Sequence, residues 1–536
     1  MYLKNIFFKY ESYFVLTYFT LIFFTGWSII GDYGVTLDDY IYYINAENTF
    51  IYIKKFFLSL LNEEIKLSEY REKLKEFPVV YELFLVFVCQ LLKINDFQAI
   101  YLTAHKLNFL IFFSSLLIFF RFIKKRFEST LISILGISLL ILSPRIFAES
   151  FYNSRDIFFM CLFIFYFNSL LYYLESKNFK SILLFSFFTA LLINAKILGL
   201  LPVAVFYLLY VYNFLNTKKG FLEEKNNLLK LIFLSFFFIY ILWPYLWNDP
   251  FQNLFLALRD MLKGHEEIIL INYYFGEYIS SDMMPWHYRI VWFLISTPVV
   301  VLFLFFIGVS LFFKKIFTLI DLSLNNKFKF NNKEFIDIFL FLTFFLSFFI
   351  VLEFNKSKFG GWRHIYYLYP IVIYFCLYFI KYLKKNAKKF SKYLIVFSII
   401  LNMSYTLYWS IQNHPHQYLF FNFLSKNYAY KNFDLDWWGV SHKSSIEYIL
   451  RDSKKNKIFI YAEGFTNLKD TWLYLDKKTK DRVVLVDYQK ADYVIDNRMR
   501  RIRANNNISD NNNFELVYDL IISNQIITSI YKKIEK

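Results

Sequence analysis

The sequence predicts a polytopic α-helical membrane protein of about eleven spans, with interfacial helices in its first external loop and a small C-terminal α/β domain. Three observations predict it. Apolar runs of bilayer length recur over residues 1–410, and a spanning helix needs roughly 20 such residues. Lys and Arg gather in alternate loops, as spans of fixed orientation require. Beyond residue 411 the pattern changes to short β-rich segments divided by polar residues.

Composition agrees. Of 536 residues, 57% are hydrophobic and 19% charged, with mean hydropathy +0.37. The 70 Phe accompany many Lys, Ile, Asn and Tyr, as an AT-rich coding sequence produces, so part of the net charge of +17 reflects codon bias. Cys89, Cys161 and Cys376 all lie in apolar runs, which offers packing residues and no disulfide framework.

The runs fall at about 12–31, 100–120, 129–147, 157–174, 180–194, 197–214, 229–247, 289–313, 335–353, 364–381 and 393–410. The first has no small-residue cleavage site and is expected to be an uncleaved anchor. Residues 180–214 would measure roughly 50 Å as one helix, against a hydrocarbon core of roughly 30 Å. Asn194, Lys196, Gly199 and Pro202 divide them into a tight pair.

Placing Lys4 and Lys9 inside puts the basic stretches Arg121–Arg126, Glu175–Lys180, Lys218–Lys230, Lys314–Lys333 and Lys381–Lys392 in the cytoplasm. The opposite loops are mixed or acidic, notably Asn248–His287. This orientation predicts an inner (plasma) membrane protein whose tail, 411–536, is extracytoplasmic. The external loop 32–99 carries amphipathic pieces, Phe50–Leu61 and Pro78–Leu92, expected at the interface. In the tail, Ser444–Leu450 reads as helix. Lys457–Ala462, Arg482–Asp487 and Ala491–Ile495 read as strands, and Phe514–Ile522 with Gln525–Tyr531 as a hairpin.

Chemistry-bearing residues cluster at the predicted external ends of the spans. Asp38 and Asp39 follow the first helix. Adjacent carboxylates raise the proton affinity of one partner and make a candidate general base, although Asp also opens ordinary polar loops. Pro144, Arg145, Glu149, Arg155 and Asp156 sit at the outer end of the third run. Guanidinium groups there hold anionic head groups in bidentate fashion, or snorkel and cap. Lys196, in the break between two apolar helices, costs about 2.5–3.5 kcal/mol if charged at mid-membrane, a cost relieved by snorkelling or by a lipid phosphate. Arg363 and His364 follow Gly360-Gly361 and suit a phosphate or pyrophosphate, while interfacial Arg, Trp and Tyr also anchor plain spans. His414-Pro415-His416 lacks a third ligand at zinc spacing. Asp434–Gly439, with Trp437 and Trp438, reads as a docking face on the membrane part or as a sugar platform. No P-loop, nucleophile elbow or Gly-rich nucleotide loop occurs, and no nucleic-acid partner is implied.

In order and sidedness these motifs resemble the GT-C glycosyltransferases, specifically the family 39 group that includes protein mannosyltransferases and aminoarabinose transferases. The acidic pair Asp38-Asp39, the corner Pro144, Arg145, Arg155, Asp156, and Arg363-His364 running to Pro370 carry the likeness across nearly the whole membrane part. Trp243–Trp247, Pro285–Tyr288, His414–Tyr418 with Asn422, and Asp436–Gly439 are similar to one bacterial branch. Many relatives have Asp-Glu where this chain has Asp-Asp. The resemblance implies a GT-C fold and inverting transfer of a sugar from a polyprenyl-phosphate donor to a glycan, lipid or protein acceptor. It implies Asp38 or Asp39 as base with Glu82 assisting, and Arg145, Arg155, Lys196, Arg363 and His364 on the donor phosphate, with Asp156 orienting. A divalent cation is compatible with such chemistry, and no residue cluster demands one. A transporter or flippase is the main rival, but no inverted repeat is evident and the polar residues sit at span ends.

Overall fold

The computed structural model describes residues 10–61, 67–74, 79–216, 221–263, 269–326, 330–353, 358–463, 468–497 and 513–534. Pro78, Glu266, Glu267, Asn355, Lys356, Ser357 and Gly464 lie outside them.

Among the described residues, nine helices are long and apolar enough to cross a membrane, or ten if one bent pair counts as a single span. The chain is a multi-pass membrane protein. All eleven expected runs are mainly helical, and several are short or broken by proline. The third divides into α5 (Thr130–Ile141) and α6 (Pro144–Tyr152), bent by 71°. A residue before proline avoids the α region, and Ser143 is accordingly extended (ψ 104°) ahead of Pro144 at the first helical position. The fifth run, α8 (Phe179–Ala195), has only 17 residues, and Lys196 ends it in extended geometry. It is followed by α9 (Leu200–Leu215), so the break at Asn194–Pro202 is where the sequence puts it. Proline also divides the run 289–313. Tyr288–Ser296 ends at an extended Thr297, ahead of Pro298 and the span Val299–Asn326.

Burial is uneven, and the unevenness positions the site. The spans Asp156–Ser176 (α7) and Arg363–Asn386 have 83% and 78% of their most apolar windows enclosed by protein, against 17% for α1 (Glu11–Ser28) and for Lys389–Gln412. The first two are the centre of the bundle, and the last two are faces left for lipid. Gly308 shows how tightly the centre is built, because a Cβ there would lie 2.0 Å from the Phe375 carbonyl oxygen. Near the basic loops, the fully buried Asp337 accepts Arg126 Nε at 2.8 Å and Arg126 Nη2 at 2.5 Å, and also contacts Lys315 and Tyr374.

Before the bundle proper, α2 (Asp39–Ser59) and α3 (Val80–Leu91) pack on α4 (Phe97–Phe127) around Tyr43, Leu85, Val86 and Ile100. The expected interfacial helices are therefore present. The unanticipated hairpin Ile271–Tyr274 with Glu277–Ser280 (β1, β2) lies in the long loop before Pro285.

In the tail, Ile458–Glu463, Val483–Leu485, Tyr493–Asn497, Phe514–Ile522 and Gln525–Lys533 (β3–β7) form one sheet in the order β4-β3-β5-β7-β6. The first three are parallel and the last three antiparallel. Ile446 and Ile449 of His442–Asp452 cover it over Ile458, Ile460, Val483 and Ile495. Each strand lies within a residue or two of its expected place.

Candidate active site

The two adjacent carboxylates at the start of α2 have different partners. Thr36-Leu37-Asp38-Asp39 closes a turn in which Asp39 Oδ2 accepts the Thr36 N–H at 2.8 Å, half of a capping box. Burial among Tyr42, Tyr43, Tyr81 and Tyr101 keeps the proton on Asp39 well above the usual carboxylate range. The Thr36 N–H opposes this and the charges of Asp470 and Asp38 add to it. Asp38 makes no cap hydrogen bond, and its charge acts on Arg155 and Arg363.

Between α6 and α7, Asn153 ties the corner together. Its Oδ1 accepts the N–H groups of Asp156 (2.8 Å) and Arg155 (3.2 Å). Its Nδ2 donates to Glu149 Oε2 (2.8 Å) and Asp156 Oδ2 (3.2 Å). Asp156 is 2% exposed at the N-terminus of α7, where the helix dipole favours a carboxylate. Two cations and an imidazole from distant parts of the chain converge on it: Lys196 in direct contact, Arg363 Nη1 at 3.7 Å and His364 Nδ1 at 3.9 Å. Arg155 turns the other way. Its Nε meets Glu82 Oε1 at 3.1 Å, and its guanidinium lies 3.9 Å above the Tyr42 ring. Tyr366 donates to Glu149 Oε1 at 2.7 Å.

Two cavities flank this network. The first has about 440 Å³ of atom-free space, part of it open to solvent, and is lined by Arg145, Glu149, Tyr152, Trp292, Gly360, Gly361, Arg363 and the tail's Asp434–Trp438. The second, about 390 Å³, is lined by Asp39, Tyr42, Tyr81, Glu82, Tyr101, His105 and Ser154. Tyr152 belongs to both walls. Gly360 and Gly361 hold φ of +65° and +72°, and a Cβ on Gly360 would fall 2.6 Å from Arg363 Nε. The glycines thus let the backbone pass beneath that guanidinium, which sits 5.2 Å from the Phe359 ring and 4.7 Å from Trp438. Arg145 lies 5.3 Å from the ring of Trp292.

Five polar atoms of the first cavity share one character, beside the carboxylates of Glu149, Asp434 and Asp436 that also line it. Arg145 Nε, Tyr152 Oη, Trp292 Nε1, Arg363 Nε and Trp438 Nε1 are buried without a hydrogen-bond partner among the described residues, and each carries a proton to donate. Buried donors without acceptors are costly. A pocket that concentrates them is shaped for a ligand rich in acceptor oxygens.

The structure thus brings all of Asp38, Asp39, Glu82, Arg145, Arg155, Asp156, Lys196, Arg363 and His364 into one region, in distinct roles. Only Arg145 and Arg363 among the expected phosphate ligands line the donor-rich cavity. Lys196 and His364 face Asp156, and Arg155 and Glu82 neutralise each other. Sequence reasoning passed over Asn153 and Tyr152 as site residues although they lie within the motif at 143–156, and it gave Trp292 and Asp470 no role. Trp438, read from the sequence as part of a docking face or a sugar platform, lines the cavity from the tail. Among the described residues, no three His, Cys, Asp or Glu side chains are grouped to hold a metal ion.

No family model matches the sequence, and no curated protein does. Over its whole length the chain is similar to the crystal structure of ArnT from Cupriavidus metallidurans in the apo state, with TM-score 0.46 and 9% identity over 97% of this chain and 98% of that one. It is also similar to ArnT from the same organism bound to undecaprenyl phosphate, with TM-score 0.39 and 12% identity over 85% and 87%.

Proposed function

We propose that this chain is an inverting, GT-C-type glycosyltransferase that moves a sugar from a polyprenyl-phosphate donor to an extracytoplasmic acceptor. The donor-lined cavity at the head of the most enclosed spans carries the reading. A phosphodiester oxygen there satisfies N–H and O–H groups that otherwise lack acceptors, and the apolar spans below accommodate a polyprenyl chain. The basic loops at the far ends of the spans support placing this site on the extracytoplasmic face of the inner membrane.

In the proposed reaction the acceptor's O–H or N–H gives its proton to Asp38 as its heteroatom bonds to the sugar C1, on the face opposite the phosphate. The C1–O bond breaks with its electron pair on the phosphate oxygen, polyprenyl phosphate leaves, and configuration inverts. Arg145 and Arg363 meet the negative charge that develops on the leaving group, in a site where water does not dilute the interaction. Asp39 is less suited to be the base, because its Oδ2 already accepts the Thr36 N–H. Asp156 keeps Lys196, Arg363 and His364 in register, and Glu82 does the same for Arg155.

The test is transfer from labelled polyprenyl-phosphate sugars by the purified protein in native lipids, with and without a chelator. Binding of undecaprenyl phosphate is measured alongside. Asp38→Asn is expected to lower kcat by about 10²–10⁴-fold, the usual worth of a general base, and Asp39→Asn by far less. A folded parent that consumes no donor across a broad panel, and binds no polyprenyl phosphate, overturns the proposal.

A further inference from the structure

We propose that Asp470, in the C-terminal tail, is a positioning residue for the catalytic turn: it caps α2 in place of Asp38 and so leaves the Asp38 carboxylate uncommitted to the helix backbone. The activity arm of this inference rests on the glycosyltransferase reading, whereas the structural arm does not.

The first N–H groups of a helix have no intrahelical acceptor. At the start of α2 both local carboxylates are unavailable or uncommitted. Asp39 is bound back to Thr36, and Asp38, at the position where Asp ordinarily caps, makes no such bond. The acceptor instead arrives from 430 positions away, as Asp470 Oδ1 takes the Tyr40 N–H at 3.3 Å. Had Asp38 capped its own helix, its oxygens would be turned onto the backbone of the first turn. With Asp470 in that place, they are free for Arg155, Arg363 and an incoming acceptor.

Asp470 is itself held in position. It is 5% exposed, and Tyr101 donates to the same oxygen at 3.4 Å. Its neighbour Lys469 lies 4.4 Å from the Tyr40 ring, and Tyr474 packs edge-on against Tyr101. The tail grips the preceding loop as well. Lys443 Nζ donates to the carbonyls of Gly31 (2.6 Å) and Asp32 (3.0 Å). His414 Nε2 lies 2.8 Å from Asp32 Oδ2, and a Cβ on Gly34 would lie 2.5 Å from the Val440 carbonyl oxygen. Of these contacts, Asp470 alone lands on the backbone of the first turn of α2. The charged and titratable groups that face it are Lys469, Asp38, Asp39 and the Tyr101 phenol.

The experiment compares full-length Asp470→Ala, Asp470→Asn and Tyr101→Phe with the parent, by hydrogen exchange of the peptide spanning 38–45 and by steady-state transfer. Asp470→Ala is expected to speed exchange of the first-turn amides about fivefold, as loss of one cap does. It should lower kcat roughly tenfold, as a displaced catalytic group does, with the donor KM unchanged. Asp470→Asn keeps the accepting oxygen and should restore both. Tyr101→Phe, which leaves the Tyr40 bond in place, should leave first-turn exchange as in the parent. Unchanged exchange in Asp470→Ala overturns the proposal, and so does an Asn variant as deprotected as Ala. If Ala deprotects the turn while the parent itself transfers no sugar, the cap stands and the glycosyltransferase reading falls.

Discussion

Replacing Arg363 probes the donor cavity most directly, because its guanidinium has three separable attachments. Its Nε is buried and unpartnered among the described residues, its Nη1 lies 3.7 Å from Asp156, and its guanidinium lies 5.2 Å from the Phe359 ring and 4.7 Å from that of Trp438. Arg363→Ala removes one charge-assisted hydrogen bond to the phosphate, worth about 2 kcal/mol, and a cation–π contact worth about 1 kcal/mol. The 3.7 Å Asp156 contact adds little, since Lys196 still neutralises that carboxylate. The sum, about 3 kcal/mol, corresponds to a loss of roughly a hundredfold in kcat/KM. Arg363→Lys keeps the charge without the planar fork or the stacking, so its loss should be closer to tenfold. Initial rates over a range of donor concentrations, on protein shown to melt like the parent, measure both. An Arg363→Ala enzyme within threefold of the parent would refute the assignment of this cavity to the phosphate.

Asp156→Ala leaves Lys196, Arg363 and His364 facing one another around an empty place. Breaking a buried pair costs about 3–5 kcal/mol, so melting in detergent should fall well below that of Arg363→Ala. In the tail, burial pulls His416 down to about 4 from its ordinary 6.5, with Asp436 opposing. The stabilising neutral form is fully present above 6.5 and is lost as pH falls towards 4. His416→Gln should therefore melt less steeply with acidification than the parent does. Asp470, pushed up to about 6 by burial, runs the other way. Its contribution is complete below about 3.8 and lost as pH rises through 6, so Asp470→Asn should gain on the parent between about pH 4 and 6. Gly308→Ala sets a methyl against the Phe375 backbone, which cannot move as a side chain does. A cost of about 1–3 kcal/mol, read as a lower melting temperature, is expected.

Much of this architecture is written locally, and local signals were legible. Apolar length located the spans, the Asn194–Pro202 interruption located a break, and alternation located every strand of the tail sheet. Pro144 and Pro298 also stood in the sequence, but the apolar runs around them continue unbroken. Only the backbone shows that the helix is interrupted at both points and bends by 71° at the first. Within the site, residue types at span ends identified the cationic groups, yet they did not divide the labour among them. Whether Lys196 meets a lipid phosphate or a carboxylate depends on Asp156 being 40 positions away and buried. Asp470 and Trp292 carried no signal at all, because a lone Asp in a polar tail and a Trp in an apolar run are ordinary. Their roles come from contacts across hundreds of residues, which no periodicity encodes.

The buried Asp337 bears on how such a chain is made. Its partners Arg126 and Lys315 both precede it, while Tyr374 follows. A polypeptide emerging from the ribosome N-terminus first therefore delivers both counter-charges to the bilayer before the acid that needs them arrives. The helix bearing Asp337 enters an already cationic niche, and the late phenol closes it. Reversing the order of these charges, by exchanging Arg126 with Asp337, would preserve the pair in the finished protein and still leave an unaccompanied carboxylate waiting in the membrane during synthesis.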